Sequence, residues 1–314
     1  MAGRFRPNRN VSNVKRYHDI AGDGGSRILE QVADQRTRMT DGLAGVRHLV
    51  AVGSGKGGVG KSTLTLHLAG ALRARGLRIA ILDADFNGPS QARMAGVQEA
   101  LFVPGRDKVS LPRSSNGIAV FSMGSVIPEA NALDFESAAR GESHTWRATR
   151  EFALLGEILR AFEWGALDVL MFDLPPGAER TVQYAEFLGP LDEAQGRSRT
   201  SFLLVTIPSA VSRGVVARSV AALSKGHHRL LGYVENMSGY YCRDCDAVRP
   251  LFASPESSDV LAIPCLGAVP FDPELARRCD RGLPVADLPE SPVGRALGQV
   301  AERLLESLEK EPQR

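Results

Sequence analysis

Nine residues, Gly55-Lys56-Gly57-Gly58-Val59-Gly60-Lys61-Ser62-Thr63, constrain this chain more than any other stretch. They fit the spacing G-x-x-x-x-G-K-[ST] and stand in the context that spacing requires. Ahead of them runs Leu49-Val50-Ala51-Val52, readable as a buried parallel strand. Behind them Leu64, Leu68, Ala71 and Leu72 recur at helical spacing. Strand, glycine loop and helix N-terminus together predict an anion site. Glycine lets the backbone approach phosphate, the loop N–H groups converge on its oxygens, and the helix dipole favours negative charge. Lys61 is expected at the β/γ-phosphates of a nucleotide and the Ser62 hydroxyl on Mg²⁺. The bland alternative, a structural glycine turn, is disfavoured by the strand and helix on either side.

Lys56 narrows the reading. An ordinary phosphate loop needs only Lys61. A lysine directly after the first glycine resembles the deviant loop of the Mrp/ApbC, MinD, ParA, arsenite-pump and nitrogenase-reductase ATPases. That resemblance implies a nucleotide-sandwich dimer in which Lys56 of one subunit touches the nucleotide of the other. A lysine in trans would stabilise the transferring phosphoryl group as an arginine finger does. A solvated loop lysine is the alternative.

The rest of the chain is ordinary in composition: 314 residues, 43% hydrophobic and 24% charged. A large core is expected from that. A net charge of +2 makes no strong case for nucleic acid, and no run of 18 apolar residues predicts a membrane span. The N-terminus lacks the apolar segment of a secretory signal. It carries Arg4, Arg6, Arg9, Lys15 and Arg16 with no acid before Asp19, which reads as a solvated basic arm. Four cysteines are too few for a disulfide framework, so a reducing, cytoplasmic location is expected.

Residues 1–46 read as this arm followed by a helical lead-in near Arg27 to Met39, and residues 47–314 as the ATPase domain. From there β-like runs (Leu49–Val52, Ile79–Leu82, Ile118–Phe121, Val169–Phe172, Phe202–Val205, Leu230–Val234, Leu266–Val269) alternate with helical patterns. The helical patterns are Ser62–Arg75, Thr149–Phe162, Val211–Ser224, Pro273–Arg281 and Pro292–Lys310. The alternation predicts an α/β fold, a mostly parallel sheet with helices on both faces. Gly189–Thr200 is polar and reads as a surface loop.

In such sheets ligands bind at the carboxyl ends of strands. Asp83-Ala84-Asp85 ends one apolar run, and Asp173-Leu174-Pro175-Pro176-Gly177 another. Asp173 fits the acid that holds Mg²⁺ through water. Asp83-Ala84-Asp85-Phe86-Asn87-Gly88-Pro89-Ser90 resembles the D-A-D-x-x-G-P-S segment of Mrp/ApbC proteins. The resemblance implies that Asp85 orients the attacking water, with Asp83 supporting Mg²⁺ or the dimer contact. Glu235-Asn236-Met237-Ser238 resembles that family's E-N-M-S, which implies Asn236 at the adenine edge; a structural Asn capping the loop is the alternative. The segment Gly267 to Pro273 resembles the loop beneath the base, with Pro270 and Asp272 in it. Independently of any ligand, Asp272 as N-cap and Pro273 at N1 are good helix openers.

Cys242-Arg243-Asp244-Cys245 follows closely. A C-x-x-C knuckle directs two thiolates at one metal centre. Iron–sulfur, zinc, a redox dithiol and a structural pair all remain open on spacing alone. The Mrp/ApbC resemblance implies a [4Fe–4S] cluster shared by Cys242 and Cys245 of two subunits, in an ATP- and Mg²⁺-dependent carrier that serves apo iron–sulfur proteins. Whether the dimer is homo- or heteromeric is left open. Cys265, beside an expected strand, reads as a core residue, and Cys279 as a helix-face residue instead of a ligand.

The resemblance spans about residues 45–310 and has faults. Ala178-Glu179-Arg180 stands where the family commonly has Thr-Gly-Asp. Ala148-Thr149 replaces Gly-Pro after Trp146-Arg147. Arg243 and Asp246 replace the Pro and Gly of C-P-x-C-G. The competing function is a MinD/ParA-like positioning ATPase without a metal centre. Against its membrane form, Leu297, Val300, Leu304, Leu305 and Leu308 make an apolar stripe opposite Glu302, Glu306, Glu309 and Glu311. Membrane-surface helices carry Lys and Arg there, so this helix is expected to pack on the sheet. A nitrogenase-reductase-like donor would use widely separated single cysteines instead of C-x-x-C.

Overall fold

Val46–Ser54, apolar almost throughout, forms β1, the strand that feeds the phosphate loop. The computed structural model describes residues 37, 39–126, 144–193, 200–252, 261–283 and 291–310, and the side chains of these except in 144–149 and 190–193. Most of the expected basic arm and lead-in therefore lies outside the described residues. Residues 39–42 are helical, and Met39 and Leu43 are buried.

After the loop come α1 (Lys61–Ala74), β2 (Ile79–Asp83) and the short α2 (Gln91–Met94). Then follow β3 (Val103–Pro104), β4 (Val109–Ser110), β5 (Ala119–Phe121), α3 (His144–Ala161), β6 (Phe162–Glu163) and β7 (Leu167–Asp173). Next are α4 (Ala178–Glu193), β8 (Thr200–Thr206), α5 (Ala210–Lys225), β9 (Arg229–Cys242) and β10 (Ala247–Arg249). The chain closes with β11 (Cys265–Phe271), α6 (Pro273–Asp280) and α7 (Pro292–Glu309).

The main sheet has eight strands in the order β10-β9-β8-β1-β7-β2-β5, with β11 also on β9. Every pairing is parallel except β9 with β10. The α/β expectation is thus met. Strands buried on both faces need helices on both faces. Leu64, Leu68 and Leu72 of α1 pack on one side with Val300, Leu304 and Leu308 of α7. Leu155 and Leu159 of α3, Tyr184 and Leu188 of α4, and Val216 and Leu223 of α5 pack on the other. The stripe on α7 faces the sheet, as its acidic outer side required; Leu305 at its margin is partly buried.

Two elements depart from the sequence expectation. The polar stretch beginning at Gly189 continues α4 as far as Glu193. Thr181, Tyr184, Ala185 and Leu188 supply its buried stripe at i, i+3, i+4, i+7 spacing. Secondly, the strand expected at Leu230–Val234 runs on to Cys242 and returns as β10. The cysteine pair sits at a hairpin tip rather than in an open loop.

Candidate functional site

The phosphate loop joins β1 to α1, and its glycines make the turn possible. Gly58 and Gly60 both have left-handed backbones, φ 78° and 76°. A Cβ on Gly60 would collide with Asn236 Nδ2, so the position admits only glycine. Lys61 is 6% exposed. Its ammonium pairs with Asp173 Oδ1 and lies 3.2 Å from Ser62 Oγ. Thr63 Oγ1 meets Met94 Sδ at 3.8 Å. Gly55, Lys56, Gly57 and Val59 line the same turn. The Lys56 side chain is half-buried and makes no ion pair among the described residues, while the Lys56 carbonyl accepts from Ser54 Oγ at 3.1 Å.

The two acidic strands meet this loop in register. Asp83 of β2 and Asp173 of β7 are direct neighbours in the parallel ladder, both fully buried. Asp173 Oδ2 accepts from Gln91 Nε2 at 2.8 Å. Asp83 Oδ2 accepts from Ser90 N (2.9 Å), Gln91 N (3.0 Å) and Ser122 Oγ (2.9 Å), and Oδ1 from Asp85 N (3.2 Å). Burial raises the Asp83 pKa, and the Asp173 carboxylate beside it raises it further. Three of these donors, the N–H groups of Asp85, Ser90 and Gln91, belong to the loop that Asp83 thereby ties down, and the fourth, Ser122, joins it to the end of β5. Asp85 stays half-buried, with Oδ1 accepting from Gly88 N at 3.1 Å.

Beyond Gly177 (φ 120°), α4 begins with the residues that depart from the resembled pattern. Arg180 pairs with Glu151 of α3 and lies 5.6 Å from the centre of the Tyr184 ring. The Tyr184 hydroxyl, fully buried, shares its proton between Ala84 O (2.8 Å) and Glu151 Oε1 (3.0 Å). Arg180, itself half-buried, is therefore half of a polar bridge from the second acidic segment to the first.

Asn236, in the middle of β9, donates from Nδ2 to Val59 O at 2.9 Å, bracing the phosphate loop from the side. It pairs with Val269 of β11, which brings Pro270 alongside. Asp272 caps α6 by accepting from Glu274 N at 2.9 Å, the helix-opening role expected of it. Its carboxylate also takes the Arg243 fork, at 2.7 and 3.3 Å. Both oxygens are used by the fold. Glu235 accepts from Arg213 Nε at 3.1 Å, locking α5 to β9.

The hairpin brings the two cysteines of C-x-x-C onto one turn. The backbone N–H of Cys245, the Cys245 thiol and the backbone N–H of Asp244 all serve the Cys242 sulfur and lower its pKa. That stabilises the thiolate, the form that binds metal. Cys242 is half-buried and Cys245 exposed. Asp246, where glycine is usual, adopts φ 46°, a left-handed turn that Asp tolerates. The Asp246 carboxylate accepts the Tyr241 hydroxyl at 2.8 Å. Arg243, in place of proline, anchors the knuckle to Asp272. Both substitutions thus keep the turn. Cys279 is buried 3.5 Å from His67 Nε2. Cys265 is exposed rather than in the core as expected, because it opens β11 at the end of the strand, and its thiol meets Gly267 O at 3.6 Å and the Tyr233 hydroxyl. Neither lies in the knuckle.

Among the described residues no group of three or more His, Cys, Asp or Glu side chains could hold a metal ion. The donor sets explain this. Mg²⁺ in a phosphate loop takes few protein ligands and keeps waters, and the knuckle brings two thiols per chain. The hard-oxygen set Ser62 and Asp173, with the buried amide Gln91 whose Oε1 has no partner, fits a hydrated magnesium ion. Gln91, Ser122, Glu151, Tyr184 and Arg213 were not singled out from sequence. Gln91 had one signal: it follows Gly88-Pro89-Ser90 directly.

Comparison with known proteins agrees with this arrangement. A family model described as a NUBPL iron-transfer P-loop NTPase of the ParA group matches residues 45–305. The cytosolic Fe-S cluster assembly factor NUBP2 of Bos taurus is 36% identical over 270 residues, 84% of this chain and 94% of its own length. Its Homo sapiens counterpart is 35% identical over 272 residues, with the same coverage. Among solved structures, the nucleotide-binding protein of Archaeoglobus fulgidus in complex with ADP, with Co, is 25% identical with a TM-score of 0.63, covering 79% of this chain and 91% of that one. The cell division ATPase MinD of Pyrococcus furiosus, 21% identical with a TM-score of 0.55, covers 83% of this chain and 99% of that one and shares the fold. Phosphate loop, paired acidic strands and the matched family model together place this chain in the NUBPL-type iron-transfer P-loop NTPases.

Proposed function

We propose that this protein is an ATP-hydrolysing iron–sulfur carrier that works as a dimer in the cytoplasm. The observation that carries the reading is the knuckle itself. Two thiols stand at an exposed hairpin tip, with N–H groups already turned to the Cys242 sulfur. A [4Fe–4S] cluster needs four thiolates, and two chains related by a two-fold axis supply them. The cluster is the cargo, handed on to apo-proteins. The relatives' description as cytosolic Fe-S assembly factors supports both cargo and location. No described helix is long and apolar enough to cross a membrane.

Beside the middle of β9, Lys61 exchanges its Asp173 partner for the β/γ-phosphates of ATP. Magnesium, when bound by Ser62 and Asp173, neutralises charge developing on those phosphates. Asp85, on the loop that Asp83 fixes, orients the attacking water. Lys56 reaches the nucleotide of the facing chain. Asn236 and the segment Pro270 to Asp272 form the wall against the base. β9 physically joins the two sites, since Asn236 braces the phosphate loop and Arg243 ties the knuckle to Asp272.

The Cys242→Ser, Cys245→Ser double variant tests the reading. After anaerobic reconstitution with iron and sulfide it should show no brown charge-transfer absorption, while ATP affinity by calorimetry matches wild type. Iron retained by the double variant would move the cluster elsewhere and sink the assignment.

A further inference from the structure

The Gln91 side chain is fully buried, yet only one half of its amide is used. Nε2 donates to Asp173 Oδ2 at 2.8 Å and to Ser62 O at 2.9 Å. Its backbone N–H donates to Asp83 Oδ2 at 3.0 Å. One residue therefore touches the acid of β7, the first turn of α1 and the acid of β2. The orientation of the amide is fixed by chemistry. Turned over, Oε1 would face a carboxylate oxygen and a carbonyl oxygen, two acceptors, and both contacts would become repulsive. Oε1 is left without a donor among the described residues. A buried acceptor without a donor is destabilising, and in a polar pocket it implies a ligand that donates. Magnesium keeps several waters, and each is a strong donor.

We infer that Gln91 is a positioning residue of the metal–nucleotide site: Nε2 holds the Asp173 carboxylate in place while Oε1 accepts from a magnesium-bound water. The inference rests on the proposal that Ser62 and Asp173 hold magnesium beside the nucleotide, and adds a residue to that site. It also gives the short helix α2 a function. Gln91 is its first residue, directly after Ser90, so the loop carrying Asp85 and the metal site share one anchor. A conformational change in that loop would be felt at Asp173 through a single side chain.

The test is calorimetric binding of ADP, with Mg²⁺ in one arm and EDTA in the other. Gln91→Met keeps the length of the side chain and removes both polar atoms. It should weaken Mg-ADP about tenfold, the size usual for loss of an outer-shell partner of a metal site, and leave ADP in EDTA unchanged. Gln91→Asn, which withdraws the amide by one methylene, should show the same difference at smaller amplitude and serves if the Met variant fails to fold. Equal weakening in both arms, or none in either, would overturn the inference and leave Gln91 a packing residue. Wild-type protein with the same ADP affinity in both arms would instead refute the magnesium site itself.

Discussion

The phosphate site and the cysteine knuckle are linked by one strand, β9, and are built in opposite ways. Around the phosphate loop, Lys61, Asp83, Gln91 and Asp173 are all buried, and each is held by two or more neighbours. At the knuckle Cys245 is exposed, and Arg243, its tie to the body, is half in solvent. Flanking apolar residues Tyr240, Val248 and Leu251 are exposed too. The first region is a polar network in the interior, the second a pair of thiols on a rim. The proposed function draws on this asymmetry: buried polar networks are rigid, and an exposed metal site would be open to exchange.

The largest effect is expected from Lys61→Ala. It removes the main charge on the phosphates, so ATP binding should vanish in calorimetry. It also strands the buried Asp173 carboxylate, and loss of one partner of such a pair costs about 3 kcal/mol, readable as a lower Tm. Unchanged Tm would mean the pair is not part of the interior's rigidity. Asp85→Asn comes next. Mg-ATP affinity should hold while turnover falls about 100-fold, the usual worth of a group that positions a reacting water or its proton. Unaltered steady-state hydrolysis would make Asp85 structural.

A smaller, pH-dependent effect separates the regions again. His67 of α1 is buried, and that burial, with the Arg278 charge nearby, pushes its pKa from 6.5 down to about 4. The folded state then binds fewer protons than the unfolded state below pH 6.5. Stability is lost as pH falls from there toward 4, by about 2 kcal/mol between pH 7 and pH 5. His67→Leu should flatten this acid limb in thermal melts. An unchanged limb would assign the acid sensitivity elsewhere. The knuckle, outside the core, should not contribute to it.

What could be read from sequence divides along the same line. The phosphate loop was legible because its glycines and lysine act locally, at fixed spacing. The sheet was legible because strands buried on both faces are continuous apolar runs. That Asp83 and Asp173 lie beside the phosphate loop was legible because both end apolar runs, and strand ends of a parallel sheet meet at one edge. Gln91 was not, because its partners Asp173 and Ser62 are distant in the chain and only the folded ladder assembles them. α4 was hidden by Pro175-Pro176-Gly177 before it and by Gly189-Pro190 within it, although its stripe from Thr181 to Leu188 was present. The hairpin was not legible because Arg243 and Asp246 are not the residues that mark a tight turn; Asp246 reaches the left-handed backbone all the same.

The most direct test of the account is the metal content and oligomeric state of wild-type protein purified without oxygen. Mass measurement in solution, with iron, sulfide and zinc analysis, should give about four iron atoms per two chains, as Cys₄ ligation of one [4Fe–4S] cluster requires, and a dimer that separates when the cluster is removed. One zinc ion per chain in a monomer, with no iron, would contradict it.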